Sequence, residues 1–225
     1  MPRRIVLDSE RAANGPAAAG GDDPEIDPGP SLSIVLVDDG MSALPEGFDL
    51  PVTLAVDPTA PGATERIAGH RAAGREVVLL AAFLPLDAAP ATVEAAVTDA
   101  LTSGTGSVAV IDTPDRRLGR SRAAIPALAE AGLGIVARPE SLTALGQARR
   151  NGVPAVALGR MLEGDPAALS RGLDRAGFEA TRDGQATVMA DLTPDMLRVL
   201  RRWTGGRRAD RVDLVPLSKM LGGGD

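Results

Sequence analysis

The feature that most constrains the fold is a regular alternation, from Ser31 onward, of short aliphatic runs with helix-like segments. The aliphatic runs have the length and composition of strands in a sheet that is covered on both faces. The segments between them begin with Ser, Thr or Asp and end at Gly, with Thr59 and Thr92 as predicted N-caps of the first two. This alternation predicts a mostly parallel α/β fold, either a compact barrel or an open doubly wound sheet. The predicted strands are Leu32–Asp38, Val52–Val56, Glu76–Ala82, Ser107–Ile111, Gly134–Ala137, Ala155–Leu158, Thr187–Ala190 and Asp213–Pro216.

The composition excludes several classes of protein. The 225 residues include no Cys and one His, His70, which removes disulfides, thiolate catalysis and any metal site with two histidines. Hydrophobic residues make up 44% of the chain and aromatic residues 2%, so the core must be aliphatic. A net charge of −6 argues against nucleic acid as a partner. No apolar run is long enough to predict a membrane helix, and the first ten residues lack the apolar stretch of a signal peptide.

The two ends of the chain differ in composition from the rest. Residues 1–30 are rich in Gly, Pro, Ala and Asp without periodicity, and this composition is typical of a flexible tail or linker. Residues 222–225 are a short second tail. A single domain is therefore predicted over residues 31–221.

Polar side chains follow the predicted strands at the point where each strand ends, which is the functional edge of parallel α/β folds. The most notable are Asp38 and Asp39, at the end of the first strand. Adjacent carboxylates repel each other and are costly to bury, so such a pair indicates a metal or a reacting proton. The other residues predicted at this rim are Asp57, Asp112, Thr113, Arg116, Arg138, Arg160 and Asp191.

Several segments also occur in a familiar order. They are VDDG (37–40), PVTLAVDPTAPGATERIAGHRAAGREVVLL (51–80), LPLD (84–87), GSVAVID (106–112) and RVDLVPLSKML (211–221). Together they resemble the divergent polysaccharide deacetylase family, a branch of the NodB-homology carbohydrate esterases. The resemblance implies a single distorted (β/α) barrel of about seven to eight mostly parallel strands, the usual barrel having eight.

The resemblance also implies a site. Active members of the family hold a divalent metal with one Asp and two His, use a neighbouring Asp as base and a later His as acid, and hydrolyse N-acetyl groups. On this sequence Asp38 takes the position of the base and Asp39 that of a metal ligand. The family's histidines fall near Phe83, Thr113 and Asp191, none of which is His. The resemblance thus implies a degenerate member without zinc-dependent activity.

Two interpretations of the aspartates stay open. Asp39, Asp112 and Asp191 could form an all-oxygen site for Mg²⁺, Ca²⁺ or Mn²⁺, with Asp38 as base. Alternatively, the aspartates cap the helices or turns that follow them and form ion pairs with rim arginines. Arg116, Arg138 and Arg160 could equally bind an anionic sugar, but neutralising the carboxylates is the simpler role.

Two further features, His70 and an Arg-rich segment, lie outside the rim. We expect His70, which lies in a predicted helix and matches none of the family's histidines, to be solvated. The segment RRWTGGRR (201–208) contains the only Trp. It could dock a partner or an anionic surface, although an Arg-rich helix C-terminus is also favoured by the helix dipole.

We therefore predict a deacetylase-like protein of carbohydrate or cell-envelope metabolism that binds a glycan or an envelope protein without hydrolysing it and needs no cofactor. One alternative is an active hydrolase of N-acetyl groups with an oxygen-ligated metal, and another is a protein-interaction scaffold. The resemblance implies a periplasmic or envelope-associated location.

Overall fold

The computed structural model describes residues 29–207 and 209–222. The tail predicted at 1–30 lies outside these residues except for Gly29 and Pro30, and Gly222 is the one described residue of the tail predicted at 222–225.

The described residues form nine strands and eight α-helices. The strands are β1 (Ser31–Asp38), β2 (Thr53–Val56), β3 (Glu76–Leu80), β4 (Ala109–Ile111), β5 (Gly134–Ala137), β6 (Ala155–Ala157), β7 (Arg160–Leu162), β8 (Gln185–Asp191) and β9 (Asp213–Leu214). The helices are α1 (Ala63–Ala72), α2 (Pro90–Ser103), α3 (Arg117–Arg120), α4 (Ala124–Glu130), α5 (Leu142–Arg150), α6 (Pro166–Asp183), α7 (Pro194–Thr204) and α8 (Leu217–Leu221). Short 3₁₀ turns occur at Ala81–Phe83 and Ala209–Arg211.

All strand pairings are parallel, and the strands follow the order β6-β5-β4-β3-β2-β1-β8-β7, with β9 beside the beginning of β1. Strands β6 and β7 belong to opposite edges of the sheet but are only two residues apart in the chain. At this crossing the Leu158 N–H donates to the Ala137 carbonyl of β5, and the Gly159 N–H donates to the Thr187 carbonyl of β8, both at 2.8 Å. The crossing draws the two edges together, so the sheet curls into a half-barrel. The prediction of a distorted (β/α) barrel is confirmed.

Each of the eight predicted strands has a counterpart, but β7 was not predicted. It has three residues, begins with Arg160 and has no helix before it, so it lacks both the length and the flanking pattern of a parallel strand.

The predicted N-caps of the first two helices are wrong. Helix α1 begins after Gly62, and the Thr59 hydroxyl instead donates to Asp57 at 2.7 Å. Helix α2 begins at Pro90, ahead of Thr92. Proline is favoured in the first helical turn because the N–H that it lacks has no partner there in any case.

The two faces of the curled sheet have different cores. The concave face is lined by aliphatic side chains such as Val35, Ala55 and Met189, and α8 packs into it through Leu217 and Met220. Helices α1, α2 and α4–α7 cover the convex face, where Leu32, Ile34 and Leu36 of β1 lie. Successive residues of a strand alternate between these faces, so the face that each strand-end residue meets can be read from its neighbours.

Helix α8 lies at the opposite end of the barrel from the rim. Its first N–H groups are bound by side chains at the beginnings of β2 and β3. The Leu217 N–H donates to the Thr53 hydroxyl at 3.0 Å, and the Ser218 N–H donates to Glu76 at 3.1 Å. Helix α8 thus covers the beginnings of these strands, at the end of the barrel opposite to the rim.

Candidate functional site

Asp38 lies at the end of β1 and continues the Leu32–Ile34–Leu36 stripe, so its carboxylate points toward the helices and not into the barrel mouth. Only 4% of the residue is exposed. Its Oδ2 lies 2.6 Å from Nε2 of His70 on α1. Its Oδ1 accepts the Gly40 N–H at 2.8 Å. Both oxygens of the predicted base are therefore occupied by groups of this chain.

The expectation that His70 is solvated is wrong. Its side chain is 13% exposed and packs against the end of β1. The sequence held a signal for this, because His70 follows buried Ala63 and Ile67 at helical spacing and so continues the inward stripe of α1. Arg66, one turn before, brings its Nε to 3.9 Å from Asp38 Oδ2, so α1 presents two basic groups to one buried carboxylate.

Gly40 allows the turn that follows Asp38. Its φ of 84° belongs to the left-handed region, and a Cβ there would lie 3.1 Å from Nη1 of Arg66. Asp39, which lies between Asp38 and Gly40 in the chain, is exposed and accepts the Met41 N–H at 2.8 Å. The VDDG segment is thus built as a turn around one buried and one exposed carboxylate.

Asp112 follows β4 and is fully buried. It accepts three hydrogen bonds: from the Ser141 hydroxyl at 2.7 Å, the Thr113 N–H at 3.0 Å and the Leu118 N–H at 3.1 Å. Burial raises its pKa above 3.8, against the lowering effect of these hydrogen bonds and of Arg138. Asp112 therefore joins the end of β4 to α3 and α5, and this accounts for its carboxylate without a metal ligand role.

The other predicted rim residues are more exposed. Asp57 accepts the Thr59 N–H in its own turn at 2.9 Å, and the Thr113 hydroxyl donates to Asp115 at 2.5 Å. Arg138 lies 3.8 Å from Glu140. Arg116 is exposed and has a φ of 58°. Arg160 pairs with Glu179, and Asp191 is exposed at the end of β8.

The strand order decides which of these residues are neighbours. Asp57, Asp38 and Asp191 end the adjacent strands β2, β1 and β8, and Asp191 lies beside Val37 in the register of β1 and β8. Asp112 is separated from β1 by β2 and β3. Within residues 29–207 and 209–222, no three His, Asp or Glu side chains are close enough together to hold a metal ion. The structure thus does not gather Asp39, Asp112 and Asp191 into an oxygen-ligated centre.

A family model for the divergent polysaccharide deacetylases matches residues 41–221. The chain belongs to this family. The match begins just after Asp38 and Asp39, so the similarity of this aspartate pair to the family's motif rests on the sequence resemblance alone.

A solved structure adds support for the fold. The chain is similar to an uncharacterized protein, ATU2773, from Agrobacterium tumefaciens C58, with a TM-score of 0.66 and 21% identity over 86% of this chain and 89% of that one. No curated protein matches the chain. At this identity the likeness concerns the fold and not the chemistry.

The residues present do not fit the family's metal centre. Phe83, which lies near one of the histidine positions that the resemblance implies, is in the 3₁₀ turn after β3 and packs against the helix-side core. The other implied positions fall near Thr113 and Asp191, and the one His of the chain is bound to Asp38 on the helix side of the sheet. In the part of the chain that the structure describes, no helix is both long and apolar enough to cross a membrane.

Proposed function

We propose that this protein is a deacetylase-like glycan-binding protein of the cell envelope that does not hydrolyse N-acetyl groups. The observation that carries the proposal is that the family's histidines are replaced by other residues in this chain. Phe83, Thr113 and Asp191 lie near the positions where the resemblance implies these histidines, and His70 is bound to Asp38. The periplasmic or envelope location is part of the proposal and is supported by the family alone.

The state of Asp38 supports loss of hydrolysis. A general base must reach the water that it deprotonates, directly or through one further water. Asp38 is almost fully buried, and both of its oxygens have partners within 2.8 Å. Its carboxylate would have to release His70 before it could accept a proton from a substrate water.

The rim retains groups that suit sugar hydroxyls. Asp191 is exposed and, among the described residues, makes no side-chain hydrogen bond, while Asp57 and Asp39 each use a single carboxylate oxygen within their own turns. These residues end or follow β8, β2 and β1, which are neighbours in the sheet. Carboxylate oxygens accept strong hydrogen bonds from hydroxyl groups. The free oxygens therefore form a row of acceptors along the rim.

The test combines binding and activity on the full chain. Chitin oligosaccharides and peptidoglycan glycan fragments are titrated by calorimetry, and acetate release is followed with Zn²⁺, Mg²⁺, Mn²⁺ and Ca²⁺. We expect binding without acetate release, and weaker binding for Asp191→Asn and Asp57→Asn. The matched control is Asp195→Asn, because Asp195 is an exposed carboxylate of α7 that pairs with Arg198.

Two results would contradict the proposal. Metal-dependent acetate release that disappears in Asp39→Asn would establish the oxygen-ligated hydrolase. Absence of binding to all of these glycans would favour the interaction scaffold.

A further inference from the structure

A groove of about 660 Å³ lies between the first turns of α6 and the last turns of α7, on the outer helical layer. Its walls are mainly apolar, with Ala167 and Pro166 from α6 and Val199 and Trp203 from α7. Arg202 and Arg207 line it as well. An apolar groove with a few charged groups is the usual form of a site for a peptide segment.

The α7 side of the groove is basic, although the chain as a whole is acidic. Residues 198–211 contain six of the chain's 24 basic residues and a single acidic one, Asp210, although the net charge of the chain is −6. This local concentration of guanidinium groups would attract an anionic partner that the rest of the surface repels.

Three arginines of α6 and α7 are already engaged. Arg198 pairs with Asp195 at 2.7 Å, Arg175 pairs with Glu179 at 3.3 Å, and Arg201 lies over the Phe48 ring at 5.7 Å from its centroid. Arg202 and Arg207 are exposed and have no ion pair with any other described residue. The two groove arginines are therefore free to bind carboxylates, for which the planar guanidinium fork is well suited.

Trp203 gives the groove a rigid floor. It is 6% exposed, its indole N–H donates to Asp174 at 3.1 Å, and its ring edge lies 3.3 Å from the position of a Cβ on Gly177. An indole buried in this way does not offer its ring face for stacking on a sugar. The apolar surface of Ala167, Val199 and Trp203 favours a protein segment over a polysaccharide, because a sugar hydroxyl placed against these three side chains would lose its polar partners.

We propose that this groove binds an acidic segment of a partner protein, with an apolar side chain against Ala167, Val199 and Trp203 and carboxylates on Arg202 and Arg207. The site is formed by the outer helices and is independent of the rim and of glycan binding there.

The test uses the full chain and an acetylated, amidated peptide, Asp-Asp-Leu-Glu-Leu-Asp. Trp203 is the only Trp of the chain, so its fluorescence reports directly on the groove. We expect saturable binding that weakens roughly tenfold in Arg202→Ala/Arg207→Ala, which removes two exposed charge contacts. The matched control is Arg149→Ala/Arg150→Ala, which removes two exposed arginines of α5 that form no ion pair with another described residue, and it should leave binding unchanged.

A second variant separates the groove from simple charge attraction. Ala167→Phe fills the groove, keeps both arginines and leaves Trp203 as the only Trp, so it should abolish binding while the protein retains its thermal unfolding midpoint. A peptide with Gly in place of both Leu residues should bind more weakly, because it lacks the apolar side chains that the groove would hold.

Several results would overturn the proposal. They are equal loss of binding in the Arg149/Arg150 control, undiminished binding in Ala167→Phe, or full binding of the Gly peptide. Groove-dependent binding of phosphatidylglycerol vesicles without peptide binding would assign the surface to lipid. Peptide binding only after Asp22, Asp23, Glu25 and Asp27 are changed to their amides would mean that an acidic stretch of this chain competes for the groove.

Discussion

Two buried aspartates, Asp38 at the end of β1 and Asp112 after β4, face the helical side of the sheet and are stabilised in different ways. Asp38 meets the side chains of His70 and Arg66, so basic groups compensate its burial. Asp112 meets a hydroxyl and two backbone N–H groups. The comparison shows that a carboxylate at a strand end can be structural, since each of these two joins its strand to a helix. The four predictions below challenge or refine this comparison.

The largest effect is expected at Asp112. In Asp112→Ala, the Ser141 hydroxyl and two N–H groups lose their acceptor inside the protein, so the free energy of unfolding should fall by about 3 kcal/mol. Chemical denaturation measures the change, and Ser141→Ala, which removes one of the three bonds, should cost about 1 kcal/mol. Equal losses in the two variants would show that the backbone donors find other partners and that Asp112 is not the junction described above.

The Asp38–His70 contact should show coupling in a double-mutant cycle. Asp38→Ala and His70→Ala should each destabilise the fold by about 1–3 kcal/mol, because each leaves the other side chain buried without its partner. The double variant should lose less than the sum of the single variants, with a coupling of about 1–2 kcal/mol in the unfolding free energy. Strictly additive losses would mean that the 2.6 Å contact contributes nothing and that Asp38 is held by the Gly40 N–H and by Arg66.

These residues also show how far sequence reasoning reaches. The strands could be predicted because aliphatic runs and Gly-terminated helices are local signals. These signals left a barrel and an open sheet equally possible, and the barrel was implied by the family resemblance. The direction of the Asp38 side chain could not be predicted. Alternation along the strand puts it on the same face as Leu36, but it does not say which face of a curled sheet carries the helices. His70 was misassigned although it shares the stripe of Ala63 and Ile67, because a polar residue at such a position is usually solvated. Its partner, Asp38, lies 32 residues away in the chain, and no local pattern reports so distant a contact.

A substitution at Gly40 tests how closely Arg66 packs against the turn that follows Asp38. Gly40→Ala should cost more than Gly47→Ala, because both glycines have positive φ but only the Cβ at position 40 would meet Arg66, at 3.1 Å. The left-handed conformation alone should cost about 1 kcal/mol in either variant. The excess at position 40 should disappear when Arg66 is also changed to Ala, as measured by unfolding free energies. An excess that survives in Gly40→Ala/Arg66→Ala would place the strain elsewhere in the turn.

The smallest effect concerns pH and separates the two aspartates by the cause of their stability. Burial raises the pKa of Asp112 in the folded protein above its usual value of 3.8, so the folded state holds this proton more tightly than the unfolded state does. The stability from Asp112 is therefore fully present below pH 3.8 and is lost as the pH rises through the folded pKa. Asp112→Asn is a suitable reference, because its amide oxygen accepts from the N–H groups and its NH₂ can donate to the Ser141 hydroxyl. The unfolding free energy of the native protein minus that of Asp112→Asn should thus decrease as the pH is raised. An increase over the same range would show that the three hydrogen bonds outweigh burial, and Asp112 would then resemble a carboxylate stabilised in its charged form.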